Sequence, residues 1–242
     1  GSLLSAPFPA PVGGYTETIL RMIDVIFTAA AGAAPDRVVA NAYGTINALS
    51  ISGTRDNGKP WVMFSFYGGG HGGSRDGDGL NHGNAPISTA TIPPMEILEA
   101  AYPVMFKQWA LRPDSAGVGT HRGGLGAIYE IEVLEGNGAK AFLFGERGRH
   151  APAGVVGGGD AALNVFHYEQ DDGWHSPPMA SKMVGIQLKK GQSVRLETPG
   201  GGGYGPASQR APAAVARDVA AGLVSAEKAD AAYGPAWRKV TQ

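Results

Sequence analysis

Apolar residues at Ile19, Met22, Ile23 and Ile26 fall at i, i+3, i+4 and i+7, which predicts an amphipathic helix with one core-facing stripe. Thr16 or Thr18 can cap its start, and Gly32 and Pro35 end it. Ahead of it, Gly1 to Gly14 is rich in glycine and proline and reads as an extended, docked segment. Further on the apolar period changes to two. Asn47 to Gly53 and Trp61 to Tyr67 read as strands, joined by Arg55-Asp56-Asn57-Gly58, whose Asn-Gly pair suits a type I′ hairpin turn. Tyr129, Ile131 and Val133 alternate with Glu130 and Glu132. Gly136-Asn137-Gly138 then turns the chain into Ala141 to Phe144, giving an expected hairpin with one wet face.

Shorter signals complete the chain. Pro94 opens a short helix carrying Ile97, Leu98 and Ala101, which Pro103 stops, and Val104 to Leu111 has strand character. Strands are expected around Leu163 to Tyr168, Val184 to Leu188 and Ser193 to Glu197, with Lys190-Gly191 turning between the last two. Pro212 to Ala221 and Ala226 to Ala232 read as two helices separated by Gly222, with Ser225 as an N-cap. The expected class is α+β, a mainly antiparallel sheet with long glycine-rich loops, an N-terminal amphipathic helix and short C-terminal helices. The 242 residues read as one domain without internal repeats.

Composition narrows the function. Thirty-eight glycines and seventeen prolines follow no collagen-like period, so they mark turns and loops. The net charge of -1 and scattered lysines and arginines exclude the basic stripe of a nucleic-acid binder. No cysteine is present, which removes thiol chemistry and disulfides and points to an intracellular, cytoplasmic protein. No apolar run approaches the roughly 18 residues of a membrane span.

Chemistry concentrates in the loops. The longest, Phe66 to Glu99, carries Tyr67, Gly68, Gly69, Gly70, His71, Asp76, Asp78, His82 and Asn84. His71 and His82 with the two aspartates have metal-binding atoms, but His-x10-His is no recognised ligand spacing, and Asp76-Gly-Asp78-Gly lacks the acidic residue that closes an EF-hand. No metal is therefore assigned to any residue here. Gly117 to Gly126 holds His121 and Arg122, and Gly145 to Gly159 holds Arg147, Arg149 and His150. The arginines suit a carboxylate or phosphate. Gly200, Gly201, Gly202 and Gly203 run into Tyr204 between a strand and a helix, where backbone N–H groups can cradle an anion or pack against another loop. Neither a Walker A loop nor a dinucleotide fingerprint is present, so ATP is not expected on this chain alone.

Several segments, taken in order, resemble the C-terminal part of the hydantoinase B family. They are Gly1-Ser2-Leu3-Leu4 with Pro9 to Gly14, Ala40 to Asn47, Tyr67 to Gly70, Pro94 to Glu99 with Tyr102-Pro103, and Arg122-Gly123-Gly124. Glu197-Thr198-Pro199 running into the glycine run is the most telling, and Arg217-Asp218-Val219, Gly222 to Ser225 and Ala232-Tyr233-Gly234 extend the match to the tail. The family includes the B-type components of ATP-dependent hydantoinases, the second half of 5-oxoprolinases, and related ketone carboxylase components.

The resemblance implies an ATP-dependent hydrolase of cyclic amides, in which ATP is held by an A-type partner that phosphorylates the carbonyl oxygen. It implies a divalent metal on an N-terminal B portion that these 242 residues lack. The chain is therefore expected to be a split, cleaved or truncated B-type component, whose partners are that portion and the hydantoinase A-type subunit. His71 or His82 would move or orient a proton, and Arg122 would hold an anionic group. Tyr67, Gly68, Gly69, Gly70, Asp76, Asp78, Asn84, Gly200, Gly201, Gly202, Gly203 and Tyr204 would line the small-molecule chamber or the contact between subunits. A component of a ketone carboxylase and a non-catalytic scaffold are the alternatives.

Overall fold

The period-two stretches become the strands of two antiparallel sheets. In the computed structural model, which describes residues 2, 4–12, 15–85, 87 and 92–240, one sheet contains β1 (Ala48–Thr54), β2 (Pro60–Phe66), β5 (Ala139–Phe144) and β8 (Lys182–Leu188), in the order β2-β1-β5-β8. The other contains β3 (Val104–Leu111), β4 (Ala127–Val133), β6 (Val165–Gln170), β7 (Gly173–His175) and β9 (Ser193–Glu197), in the order β3-β4-β9-β6-β7. Leu49, Ile51, Met63, Leu143 and Ile186 from the first sheet share one buried cluster with Tyr129, Ile131, Phe166 and Leu196 from the second. Burying each such side chain is worth about 1.5–3 kcal/mol.

The alternation in β4 and β5 is as read, but the two strands do not form a hairpin. β4 pairs with β3 and β9, whereas β5 pairs with β1 and β8. Residues 134–138 carry the chain across from one sheet to the other, so both alternating faces serve the same core. Gly136, at φ +90°, lies so close to the β1–β2 connection that a Cβ would meet the Thr54 carbonyl oxygen at 2.1 Å. Its N–H donates to Asp56 Oδ1 at 3.0 Å. That contact fixes the crossing.

β1 and β2 do form the expected hairpin, in register from Ala48↔Phe66 to Thr54↔Pro60. Its turn is not type I′, because Gly58 has a positive φ and Asn57 does not. Asn57 instead accepts the Lys59 N–H on its side-chain oxygen at 3.1 Å. The β6–β7 hairpin, which turns at Asp171 to Gly173, was not among the expected elements.

The first helix, α1 (Tyr15–Ala30), forms as predicted, but the face it buries is rotated from the predicted stripe, so that Ile19 and Ile23 are only half-buried. Thr16 and Thr18 lie inside its first turn, so neither is the cap. Glu17, Leu20 and Asp24 are buried, while Met22, Val25 and Ile26 are 40%, 66% and 59% exposed. The surface beneath α1 is loop backbone with polar groups to satisfy. Glu17 accepts hydrogen bonds from Thr45 Oγ1 at 3.1 Å and Ile46 N at 2.9 Å, and Asp24 pairs with Arg147. Unmet, each of these groups would cost more than an exposed isoleucine. The segment before α1 is not docked on this chain where it is described, since Leu4 and Phe8 are exposed; Gly1, Leu3, Gly13 and Gly14 lie outside the described residues.

The remaining helices are α2 (Met95–Ala101), α3 (Pro212–Ala220) and α4 (Ala226–Tyr233). Only Leu98 of α2 is buried, and Ile97 faces outward. α3 and α4 enclose Val215, Val224, Ala229 and Trp237 as a second small core. Ser225 caps α4 as expected, accepting from Lys228 N at 3.2 Å. The class is thus α+β, with two antiparallel sheets and helices at both ends of the chain.

Candidate functional site

The glycine loops are woven together. Residues 200–203 are buried in the centre, and each meets a different neighbour. A Cβ on Gly200 would strike Ser115 O at 2.2 Å, on Gly201 His71 O at 1.9 Å, on Gly202 Ala153 O at 2.1 Å and on Gly203 Val118 O at 1.9 Å. The return to the same neighbouring segment after three residues is the period of a polyproline II chain. Hydrogen bonds tie the layers: Gly70 N–H donates to Pro199 O at 3.0 Å, Gly73 N–H to Gly202 O at 2.9 Å and Gly201 N–H to Gly124 O at 2.9 Å. Gly68, Gly69 and Gly70 are buried in the same weave, and a Cβ on Gly70 would meet Gly124 O at 1.9 Å. The glycine faces of residues 68, 70 and 200–203 are therefore filled by this chain's own backbone, and that of Gly69 by the Tyr43 side chain. Tyr204 joins them through backbone bonds with His121, and its hydroxyl donates to Pro35 O at 3.0 Å.

Arg122 and Asp78 come together, in an ion network that anchors the weave to α3. Arg210 makes a two-pronged contact with Asp78, 2.7 Å on each oxygen, and reaches Asp218 Oδ2 at 2.6 Å. Arg122 donates through Nε to Asp218 Oδ1 at 3.1 Å and through Nη1 to Asn81 Oδ1 at 3.2 Å. Burial would raise the Asp78 carboxyl, but the hydrogen bonds and charges of Arg210 and Arg122 hold it below the usual range. Arg122, Arg210 and Asp218 are each 6% exposed. The guanidinium of Arg122 is thus already engaged. Arg210 and Asp218 were not among the expected site residues; Asp218 stands in the tail segment that carries the family resemblance, its one sequence sign. Asp76 stands apart, with its side chain 87% exposed beside Arg75.

His71 and His82 sit on opposite sides of the turn at residues 80–84. His71 Nε2 donates to Asn84 O at 2.6 Å, and its ring stacks on Tyr43 with centroids 6.3 Å apart. It faces a narrow space of about 200 Å³ under α1, lined also by Leu20, Phe27 and Ala40. His82 faces the larger cleft, of about 540 Å³, with Asn84, Pro94, Met95, Glu96 and Trp109. Residues 86 and 88–91 of the same loop lie outside the described residues.

The backbone sets His82 firmly. Its φ is +49°, a left-handed value that few residues other than glycine adopt. The conformation is imposed by His82 N–H donating to Leu125 O at 2.8 Å and by the paired bonds of Gly69 with Gly83, 3.0 and 2.7 Å. Nε2 is hydrogen-bonded to the Tyr129 hydroxyl. Trp109 packs edge-on to both rings, at 6.1 Å from His82 and 5.0 Å from Tyr129, and Tyr67 lies behind Tyr129 at 4.5 Å. Burial lowers the His82 pKa, keeping the imidazole neutral, and raises the Tyr129 and Tyr67 phenols. A neutral imidazole beside an apolar wall can accept a proton from a reacting water. Tyr67 itself is buried, so it supports the wall from behind. Trp109 and Glu96 were missed because strand and helix periodicity carries no sign of which cleft a residue lines. Among the described residues, no group of three or more histidine, aspartate or glutamate side chains is placed to hold a metal ion.

Two antiparallel sheets braced by a glycine weave, with a histidine cleft at its edge, define the architectural class. A family model described as Hydantoinase B/oxoprolinase matches residues 1–207, and the chain belongs to that family. The beta component of the caprolactamase of Pseudomonas jessenii is 32% identical over 97% of this chain and 42% of its own length. The B component of a putative D-/L-hydantoinase of Pseudomonas sp. (strain NS671) is 27% identical over 97% of this chain and 39% of its own. The solved ATP-dependent caprolactamase of P. jessenii matches with a TM-score of 0.83 at 27% identity, covering 95% of this chain and 41% of that one. A nucleotide-free acetone carboxylase matches with a TM-score of 0.67 over 82% of this chain and 30% of that one, and at 24% identity that likeness is one of fold. The chain spans less than half the length of each of these relatives. No helix among the described residues is long and apolar enough to cross a membrane.

Proposed function

We propose that the chain forms the C-terminal part of a B-type subunit in an ATP-dependent cyclic-amide hydrolase, working with an ATP-binding A-type subunit. The observation that carries this reading is the His82 cleft, where a neutral imidazole, an apolar indole wall and the polar groups of Asn84 and Glu96 converge. The relatives named as hydantoinase and caprolactamase components support the substrate class. A lactam presents a flat apolar ring edge and one amide, the two features that such a cleft complements.

In this account the A-type subunit transfers a phosphoryl group to the amide oxygen, which makes the amide carbon electrophilic. His82 accepts a proton as water adds to that carbon, the ring C–N bond breaks as the nitrogen gains a proton, and the resulting acyl phosphate takes up a second water, which releases inorganic phosphate and leaves the free carboxylate. Asn84, whose carbonyl His71 holds, positions the ring. Arg122 and Asp78 act at a distance by fixing the turn on which His82 stands. The divalent metal implied by the family is assigned to the portion outside these residues, and no step here passes through it.

The test is ATP hydrolysis by the reconstituted complex supplied with hydantoin, 5-oxoproline or caprolactam. Ring opening coupled to phosphate release is expected. ATP turnover that requires bicarbonate and a ketone would instead favour the carboxylase alternative.

A further inference from the structure

The arginines of the glycine-rich loops separate in the fold. Arg122 is engaged by Asp218, whereas Arg147 and Arg149 stand with Arg21 of α1 and Lys182 of β8 around a second cavity of about 290 Å³. Glu146 and His150 complete its charged lining. Arg147 is buried at φ +65° and is held in place from several sides: it donates to Tyr43 O at 3.3 Å and Ala151 O at 3.4 Å, and pairs with Asp24. Arg21 shares that same Asp24 at 3.0 Å and donates to Gly44 O. Lys182 pairs with Glu146.

The charges do not cancel. Asp24 serves two arginines, Glu146 serves Lys182, and Glu17, one turn earlier on α1, acts on Arg21. Arg149 remains, exposed at the rim, with no ion pair or hydrogen bond to any described residue. A concave space lined by fixed cations, with one unpaired guanidinium at its edge, is suited to an anion, and a guanidinium fork fits planar or tetrahedral oxyanions in particular. The cavity is lined differently from the His82 cleft, with no residue in common.

We propose that this cavity binds a small oxyanion, a carboxylate or phosphate group, which Arg149 clasps and which Lys182 and Arg147 face from the wall. The inference does not rest on the hydrolase reading. It is tested by titrating the purified protein calorimetrically with inorganic phosphate and, separately, with acetate, in wild type, Arg149→Gln and Lys182→Gln.

Saturable binding of at least one anion is expected, weakened about tenfold in Arg149→Gln. The thermal midpoint of Arg149→Gln without anion should match wild type, because Arg149 has no partner to lose among the described residues. Tighter binding of phosphate assigns a phosphoryl ligand, and tighter binding of acetate assigns a carboxylate; both support the site. The Lys182→Gln titration should also show weaker binding, which guards against an effect local to the rim. Absence of binding by both anions, or undiminished affinity in Arg149→Gln, overturns the proposal.

Discussion

His82 reaches across from the glycine loop to hydrogen-bond Tyr129, a strand residue 47 positions later in the chain, with the two ring centroids 5.7 Å apart. The bond couples the loop to the core of the five-stranded sheet, in a half-buried setting that disfavours the charged imidazolium. Burial lowers the His82 pKa from 6.5, so the unfolded chain takes up this proton at a higher pH than the folded one. Stability from the neutral ring is therefore full above about pH 6.5 and falls as pH drops towards the folded-state value. Thermal midpoints of wild type and His82→Asn, compared at about pH 7.5 and 5.5, should show a smaller acid loss in the variant. Asparagine is chosen because it tolerates the left-handed backbone.

The glycine weave makes a sharper demand on stability. Gly201→Ala would drive a Cβ to within 1.9 Å of the His71 carbonyl oxygen, where the obstacle is backbone and cannot swing aside. A cost of about 3 kcal/mol or more is expected. Gly32→Ala, with nothing within 4 Å of the added atom, should leave denaturant midpoints unchanged or slightly raised.

Asp218 bridges two buried arginines, so its loss should be felt far from α3. Asp218→Ala leaves Arg122 and Arg210 to share Asp78, which lies 3.9 Å from Arg122 Nε. Chemical denaturation should register a loss of about 3–5 kcal/mol. Arg122→Ala should likewise lower stability more than it raises the KM for substrate, since its guanidinium is turned to Asp218 and Asn81.

α1 should lose more from removal of its buried carboxylate than from truncation of its exposed apolar residues. Asp24→Ala removes the carboxylate that Arg147 and Arg21 share, and is expected to cost about 3–5 kcal/mol. Val25→Ala, at a position 66% exposed, should stay within about 0.5 kcal/mol of wild type. Equal losses at the two positions would mean that the apolar side of the helix is the one that packs inward.

The strands were legible in the sequence because period two survives any arrangement of sheets. Leu49 and Ile51, or Tyr129, Ile131 and Val133, point inward whichever sheet they join. Sheet membership was not legible, since the turn at Gly136 to Gly138 looks the same for a hairpin and for a crossing between layers. The orientation of α1 was hidden for a different reason: the helix lies on loop backbone whose unmet donors outrank its isoleucines, and only the fold shows those donors. Of the candidate site, His82 and Asn84 were visible as polar residues in a glycine loop. Trp109 and Tyr129 were visible only as strand residues. Asp218 and Arg122 lie 96 positions apart, and no local pattern joins them.

In the proposed reaction His82, in its aromatic cleft, moves the proton in amide hydrolysis. The measurement that tests this role most directly is kcat/KM for ATP-coupled ring opening by the reconstituted complex, comparing wild type with His82→Asn and with Asp76→Ala as an exposed control. A loss of about a hundredfold or more in His82→Asn, with Asp76→Ala close to wild type and both variants folded, is the predicted result. Turnover by folded His82→Asn within a few-fold of wild type would contradict it.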